Sequence, residues 1–168
     1  MMECDAYVSL GSNLGDRAAH IARALAALAA LPATRVAAFS PIFETAPVGP
    51  PPQGHYLNAV ARLRTGLAPR DLLEGLLAIE REAGRTRGPD RNAARSLDLD
   101  LLLYGERILA EPGLRVPHPR LAARGFVLEP LAALAPALRH PELGTTIAAL
   151  AAGVRDARAV QPWKGTLP

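Results

Sequence analysis

"RSLDLDLLLYG", residues 95–105, sets two aspartates inside a run of leucines. A strand sends successive side chains to opposite faces, so Leu97, Leu99, Leu101 and Leu103 share one face while Asp98 and Asp100 share the other with Leu102 and Tyr104. The leucine face reads as core. Two residues of strand rise separate the carboxylates by about 6.6 Å, where repulsion at an effective dielectric of about 20 costs roughly 2.5 kcal/mol. Two arrangements offset that cost. The aspartates form ion pairs with nearby arginines as plain scaffolding, or they share a divalent cation and leave most of its coordination to water and phosphate oxygens. The cation is the favoured reading, because it needs both acids on one face.

Working outward, the arginine-rich run 85–95 lies directly upstream, holding Arg85, Arg87, Arg91 and Arg95. Before it, "APRDLLEGLLAIEREAG" (68–84) reads as a helix with Pro69 at its first position, Gly84 as its stop, and Leu72, Leu73, Leu76 and Ile79 on the buried stripe. "YLNAVARLRT" (56–65) alternates as a one-sided strand, with Leu57, Ala59, Ala61 and Leu63 inward and Tyr56, Asn58 and Val60 opposite. "TRVAAFSPIFET" (34–45) reads as another strand, with Pro41 marking an edge or bulge. "APVGPPPQGH" is a loop. At the N-terminal end, "DAYVSLG" (5–11) is a strand that runs into "GSNLGD", where Asn13 or Asp16 caps a helix reaching about Leu31. From Pro117 onward the pattern gives short helical pieces separated by Pro119, Pro130, Pro136 and Pro141.

Strand, helix, strand, strand, helix, strand is the order of a ferredoxin-like α+β fold, βαββαβ, with an antiparallel sheet, both helices on one face and added C-terminal short helices. If the strands at 56–65 and 98–104 share that sheet, Tyr56, Asn58, Asp98 and Asp100 converge on its open side.

The 168 residues suit a single domain, 1–168. Aromatic residues make up only 4%, so the core must come from Leu, Ala, Val and Ile. Of nineteen basic residues only Lys164 is lysine, and the planar fork of arginine suits phosphate. Cys4 is the single cysteine, which excludes an intramolecular disulfide and a cysteine-built metal site. There is no signal-type apolar stretch and no membrane span, and a cytoplasmic location follows as the expectation. "GPPPQGHY" (49–56) has Walker-like glycine spacing, but His55 and Tyr56 stand where Lys and Ser or Thr are required. No dinucleotide fingerprint, zincin helix or nucleophile elbow occurs.

"YVSLGSNLGDR", "ETAPVG", "YLNAV", "IEREAGRTR", "RSLDLDLLLYG" and "VPHPRLAARGFVLEPL", in this order and spacing, resemble the signature segments of the 6-hydroxymethyl-7,8-dihydropterin pyrophosphokinase family of folate biosynthesis. The resemblance implies transfer of pyrophosphate from ATP to the pterin hydroxymethyl group, with release of AMP. It implies Asp98 and Asp100 as ligands of two magnesium ions that bridge the ATP phosphates, and Arg85 and Arg95 as catalytic arginines. Glu80, Arg87, His118 and Arg124 fall at nucleotide-contacting positions. Thr45, Pro47, Val48, Tyr56, Asn58 and Phe126 fall at pterin positions. "RNAAR" (91–95) departs from the family's usual Arg-Trp-Gly-Pro-Arg, with Asn92 in place of the tryptophan. The run 85–95 would form a lid ordered by nucleotide. The resemblance further implies a monomer that takes small-molecule substrates, with no nucleic acid or membrane partner. Two other readings stay open on the residues alone: another magnesium-dependent nucleotidyl or phosphoryl transferase, which would share the aspartate pair, and a non-enzymatic RNA- or anion-binding domain, which would have no use for it.

Overall fold

The computed structural model describes residues 2–46, 54–84, 96–154 and 160–168. Its centre is a six-stranded antiparallel sheet built from β1 (Cys4–Ser12), β2 (Thr34–Phe39), β3 (Phe43–Thr45), β4 (Tyr56–Thr65), β5 (Asp98–Tyr104) and a C-terminal strand, Val160–Pro162. Across the sheet, β5 lies beside β1 and β1 beside β4. The far edge of β4 is shared by β2 and β3, and the Val160–Pro162 strand adds outside β3.

The residues expected as one strand at 34–45 form two, β2 and β3, and Ser40 explains the break. Its backbone N–H donates to Val60 O at 2.8 Å while its hydroxyl accepts from Val60 N–H at 2.9 Å. One residue thus satisfies both polar groups of Val60 where the ladder is interrupted at Pro41, which lacks an N–H of its own.

Two helices, α1 (Arg17–Ala29) and α2 (Pro69–Glu82), cover the leucine face of the sheet. Asp16 caps α1 by accepting from Ala19 N–H at 3.1 Å, choosing between the two expected caps. Ile21, Ala24 and Leu28 of α1 and Leu72, Leu76 and Ile79 of α2 pack on Val8, Leu10, Leu57, Ala61, Leu63, Leu99 and Leu101. Leu73 is only partly buried. Gly84 ends α2 with φ at +83°, a conformation that glycine adopts without a Cβ penalty.

The strict alternation expected along β5 fails at its end. Val8 pairs with Leu101 and Tyr7 with Leu103, so Leu102 is an extra residue. This bulge inverts the faces beyond it. Leu103 joins Leu102 in the second core, and Tyr104 turns into the first, the reverse of the expected assignment.

After β5 comes a hairpin of β6 (Leu109–Glu111) and β7 (Leu114–Val116), then a 3-10 turn at Leu121–Ala123 and two helices, α3 (Gly125–Leu134) and α4 (Ile147–Gly153). The C-terminal strand Val160–Pro162 is therefore β8. Pro130 does not separate helical pieces as expected; it lies inside α3, where burial of Val127, Leu128 and Leu131 against Tyr7, Val60, Leu102 and Leu103 outweighs its missing backbone donor. The second sheet face is thus open only in part, because α3 and α4 cover the end nearer the bulge.

Candidate functional site

From the edge of the α3 cover outward, that face is organised by strand register. Asn58, Gly11 and Asp98 stand side by side across β4, β1 and β5, and Val60, Ser9 and Asp100 form the next row on the same face. Tyr56 lies two residues from Asn58 on its strand and pairs with Thr45 of β3. The convergence expected for Tyr56, Asn58, Asp98 and Asp100 is present. Gly11 and Ser9 are additions that the sequence reading missed, although the alternation of "DAYVSLGS", with Val8 and Leu10 inward, places them on this face.

At the Asn58 end the site is preorganised. Asn58 is 6% exposed and donates from Nδ2 to the Oγ1 of Thr45, itself 2% exposed, at 2.7 Å. That bond fixes the amide, with Oδ1 on the side of Gly11. A Cβ built on Gly11 would stand 3.3 Å from Asn58 Oδ1 and 3.7 Å from the Tyr56 ring, so glycine keeps a notch open between them. Below it, Arg17 of α1 bridges two elements, donating to Glu44 Oε2 of β3 and to the His55 carbonyl at 2.9 Å.

At the Asp100 end the facing groups are basic. Arg124 Nη1 lies 3.8 Å from Asp100 Oδ2, and His118 Nε2 lies 4.0 Å from Asp100 Oδ1. The ion pairing considered as scaffolding for the aspartates is thus present between Asp100 and Arg124. His118 is held from two sides: its backbone N–H donates to Leu102 O at 2.8 Å, and its Nδ1 accepts from Arg120 N–H at 3.1 Å. With Nδ1 engaged as an acceptor, a neutral ring carries its proton on Nε2, the atom toward Asp100. Burial, then the charges of Arg124 and Arg120, push the His118 pKa down to about 4 against a smaller opposing pull from Asp98. His118 is therefore a neutral donor at pH 7, while Arg124 stands beside Asp100 as a cation.

Arg124 also contacts Phe126. It precedes the first turn of α3, and its guanidinium carbon sits 5.5 Å from the centroid of Phe126 in that turn. The ring of Phe126 and the cation facing Asp100 are held by the same three residues of chain.

Glu80 is placed differently from a plain surface contact. It is 2% exposed on the buried stripe of α2, and its Oε2 accepts from the backbone N–H of Leu99, between the two aspartates, at 2.8 Å. The expected nucleotide position thus carries a second feature, a direct tie from α2 to β5. Pro47, Val48, Arg85, Arg87 and Arg95, together with Arg91, Asn92 and the expected lid, lie outside the described residues.

Fold and site define an α+β enzyme-like domain in which one sheet face presents paired carboxylates with an arginine and a neutral histidine beside Asp100 at one end and an amide and an aromatic ring at the other. The model of the 7,8-dihydro-6-hydroxymethylpterin-pyrophosphokinase family matches residues 7–136, and the chain belongs to this family. It is 52% identical over 136 residues to the 2-amino-4-hydroxy-6-hydroxymethyldihydropteridine pyrophosphokinase of Pseudomonas aeruginosa, covering 81% of this chain and 83% of that one. To the enzyme of the same name from Bacillus subtilis it is 45% identical over 127 residues, covering 76% and 75%. Among solved structures it resembles the wild-type HPPK-DHPS of Plasmodium falciparum with a TM-score of 0.69 at 13% identity, over 89% of this chain and 44% of that one. The chain spans less than half of that longer protein, and the likeness speaks for the fold alone.

Proposed function

We infer that the chain transfers pyrophosphate from ATP to the hydroxymethyl group of 6-hydroxymethyl-7,8-dihydropterin, releasing AMP, in folate biosynthesis. In this reaction the hydroxymethyl oxygen bonds to the β-phosphorus, the bond from that phosphorus to the bridging oxygen of AMP breaks, and the hydroxyl proton is released. Family membership gives the reaction, and the adjacency of Asn58, Gly11 and Asp98 in one cross-strand row carries the reading of the site. It supports a ring-binding slot beside an anion-handling end, the layout that in-line transfer between two bound substrates requires.

Thr45, Pro47, Val48, Tyr56, Asn58 and Phe126 take the pterin. Asn58 presents its fixed Oδ1 to the ring's N–H donors, and the aromatic side chains supply flat walls. His118 offers an Nε2–H to a phosphate oxygen. Arg124, with Glu80 and Arg87, completes the nucleotide contacts, and Arg85 and Arg95 neutralise charge during transfer. Asp98 and Asp100 are the residues that would hold magnesium. No third His, Cys, Asp or Glu joins them among the described residues, and a pair of carboxylates suits an ion that shares its coordination with nucleotide phosphates. When bound, the ions withdraw charge from the phosphates and align them.

The finer fold assignment is the ferredoxin-like one. The strand order β5-β1-β4 with β2 and β3 outside, and α1 and α2 on one face, supports it. We take residues 1–168 as one domain, acting as a cytoplasmic monomer on small molecules without nucleic acid. Among the described residues no helix is long and apolar enough to cross a membrane.

The reading is tested by following ATP consumption with the pterin, magnesium or the protein omitted in turn. Consumption that needs all three supports it, and consumption independent of the pterin contradicts it.

A further inference from the structure

Strand β8 lies outside the span matched by the family model, which ends at residue 136. It nevertheless contacts β3 and α3, the elements that carry Thr45 and Phe126. Thr45, Glu44 and Phe43 of β3 pair with Val160, Gln161 and Pro162, and Trp163 N–H donates to Ile42 O at 2.9 Å. Trp163 also packs on the core beneath the sheet. On its other contact, β8 lies against α3, the helix whose first turn carries Phe126.

The importance of this contact follows from how short β3 is. A three-residue strand carries few ladder bonds, and a strand bonded on one side only opens locally at low cost. β3 holds Thr45, the acceptor that orients the Asn58 amide. If β3 moves, the amide loses its fixed direction even though Asn58 itself sits on the long strand β4.

We propose that β8 and Trp163 form a positioning element for the pterin end of the site, clamping β3 so that Thr45 holds Asn58 with Oδ1 turned toward Gly11. Pro162 suits this outer strand, because a residue without a backbone donor blocks further pairing at the edge. The inference rests on the pterin reading of the slot. It adds that residues beyond the matched family span set pterin affinity while leaving the nucleotide end alone.

The test uses the full-length chain with Trp163→Ala and, as a milder second variant, Val160→Gly. Three quantities are read: amide exchange at residues 43–45, the dissociation constant for 6-hydroxymethyl-7,8-dihydropterin, and that for a non-hydrolysable ATP analogue with magnesium. The expected result is faster exchange in β3 and a pterin constant raised about fivefold or more, the worth of one net hydrogen bond. The nucleotide constant should stay within about twofold. Unchanged pterin affinity in Val160→Gly despite faster exchange in β3, or equal loss of both ligands, overturns the inference while the pterin reading stands. Failure of the unmodified chain to bind the pterin overturns both.

Discussion

The buried carboxylate of Glu80 accepts the backbone N–H of Leu99 at 2.8 Å, and Leu99 is the residue between Asp98 and Asp100. A helix thereby holds the backbone from which both aspartates project. Glu80→Ala leaves that N–H buried without its acceptor, and should cost about 1–3 kcal/mol of stability. Glu80→Gln keeps an oxygen acceptor and should cost less. Urea titration of the two variants checks this, and equal losses would show that the Leu99 bond is not what Glu80 contributes.

Gly11→Ala should separate binding from stability. Replacing glycine inside a strand recovers roughly 0.5–1 kcal/mol of backbone entropy, while the new Cβ stands 3.3 Å from Asn58 Oδ1. Stability is expected unchanged or slightly raised. Pterin affinity is expected to fall several-fold with nucleotide binding close to normal, the pattern also expected of Asn58→Ala. Thermal unfolding and separate titrations of the two ligands give the answer, and undiminished pterin affinity in Gly11→Ala would remove the notch from the account.

His118 makes stability depend on pH with a definite sign. Its folded pKa is about 4, below the ordinary histidine value of about 6.5. Between those values the unfolded chain binds the proton and the folded one does not, so the contribution of His118 is intact above about pH 6.5 and is lost as pH falls toward 4. His118→Gln should lose less stability than the unmodified protein between pH 7 and pH 4.5. Denaturation midpoints at the two pH values measure it, and identical losses would contradict the buried neutral ring.

Asp100→Ala should weaken nucleotide binding only when magnesium is present. Turnover is expected to be nearly abolished, and nucleotide affinity with magnesium reduced. In chelator, the loss of a carboxylate that repels phosphate, beside an Arg124 that remains, should leave ATP binding equal or tighter. Calorimetric titration under both conditions tests this. Weaker binding in chelator as well would assign Asp100 to holding the fold rather than to the ion.

Much of this site could be read from alternation alone. Asn58, Asp98 and Asp100 each sit opposite a leucine face, and once β4, β1 and β5 are neighbours their convergence follows from the period of two. What escaped was set by contacts between segments distant in sequence. The bulge at Leu102 leaves no local mark in "LDLDLLLYG", since every residue after Asp100 is apolar or aromatic and fits either face. Ser40 reads as one more residue of a continuous strand until Val60 lies beside it. β8 pairs with residues more than a hundred positions away, and "VQP" is too short to carry a period. The tie between Glu80 and Leu99 is likewise invisible before α2 packs on β5.

The most direct test of the central claim is the identity of the nucleotide product after the protein is mixed with magnesium, ATP and 6-hydroxymethyl-7,8-dihydropterin, resolved by phosphorus NMR. The account predicts AMP together with a pterin diphosphate in equal amounts. ADP with a pterin monophosphate would contradict it.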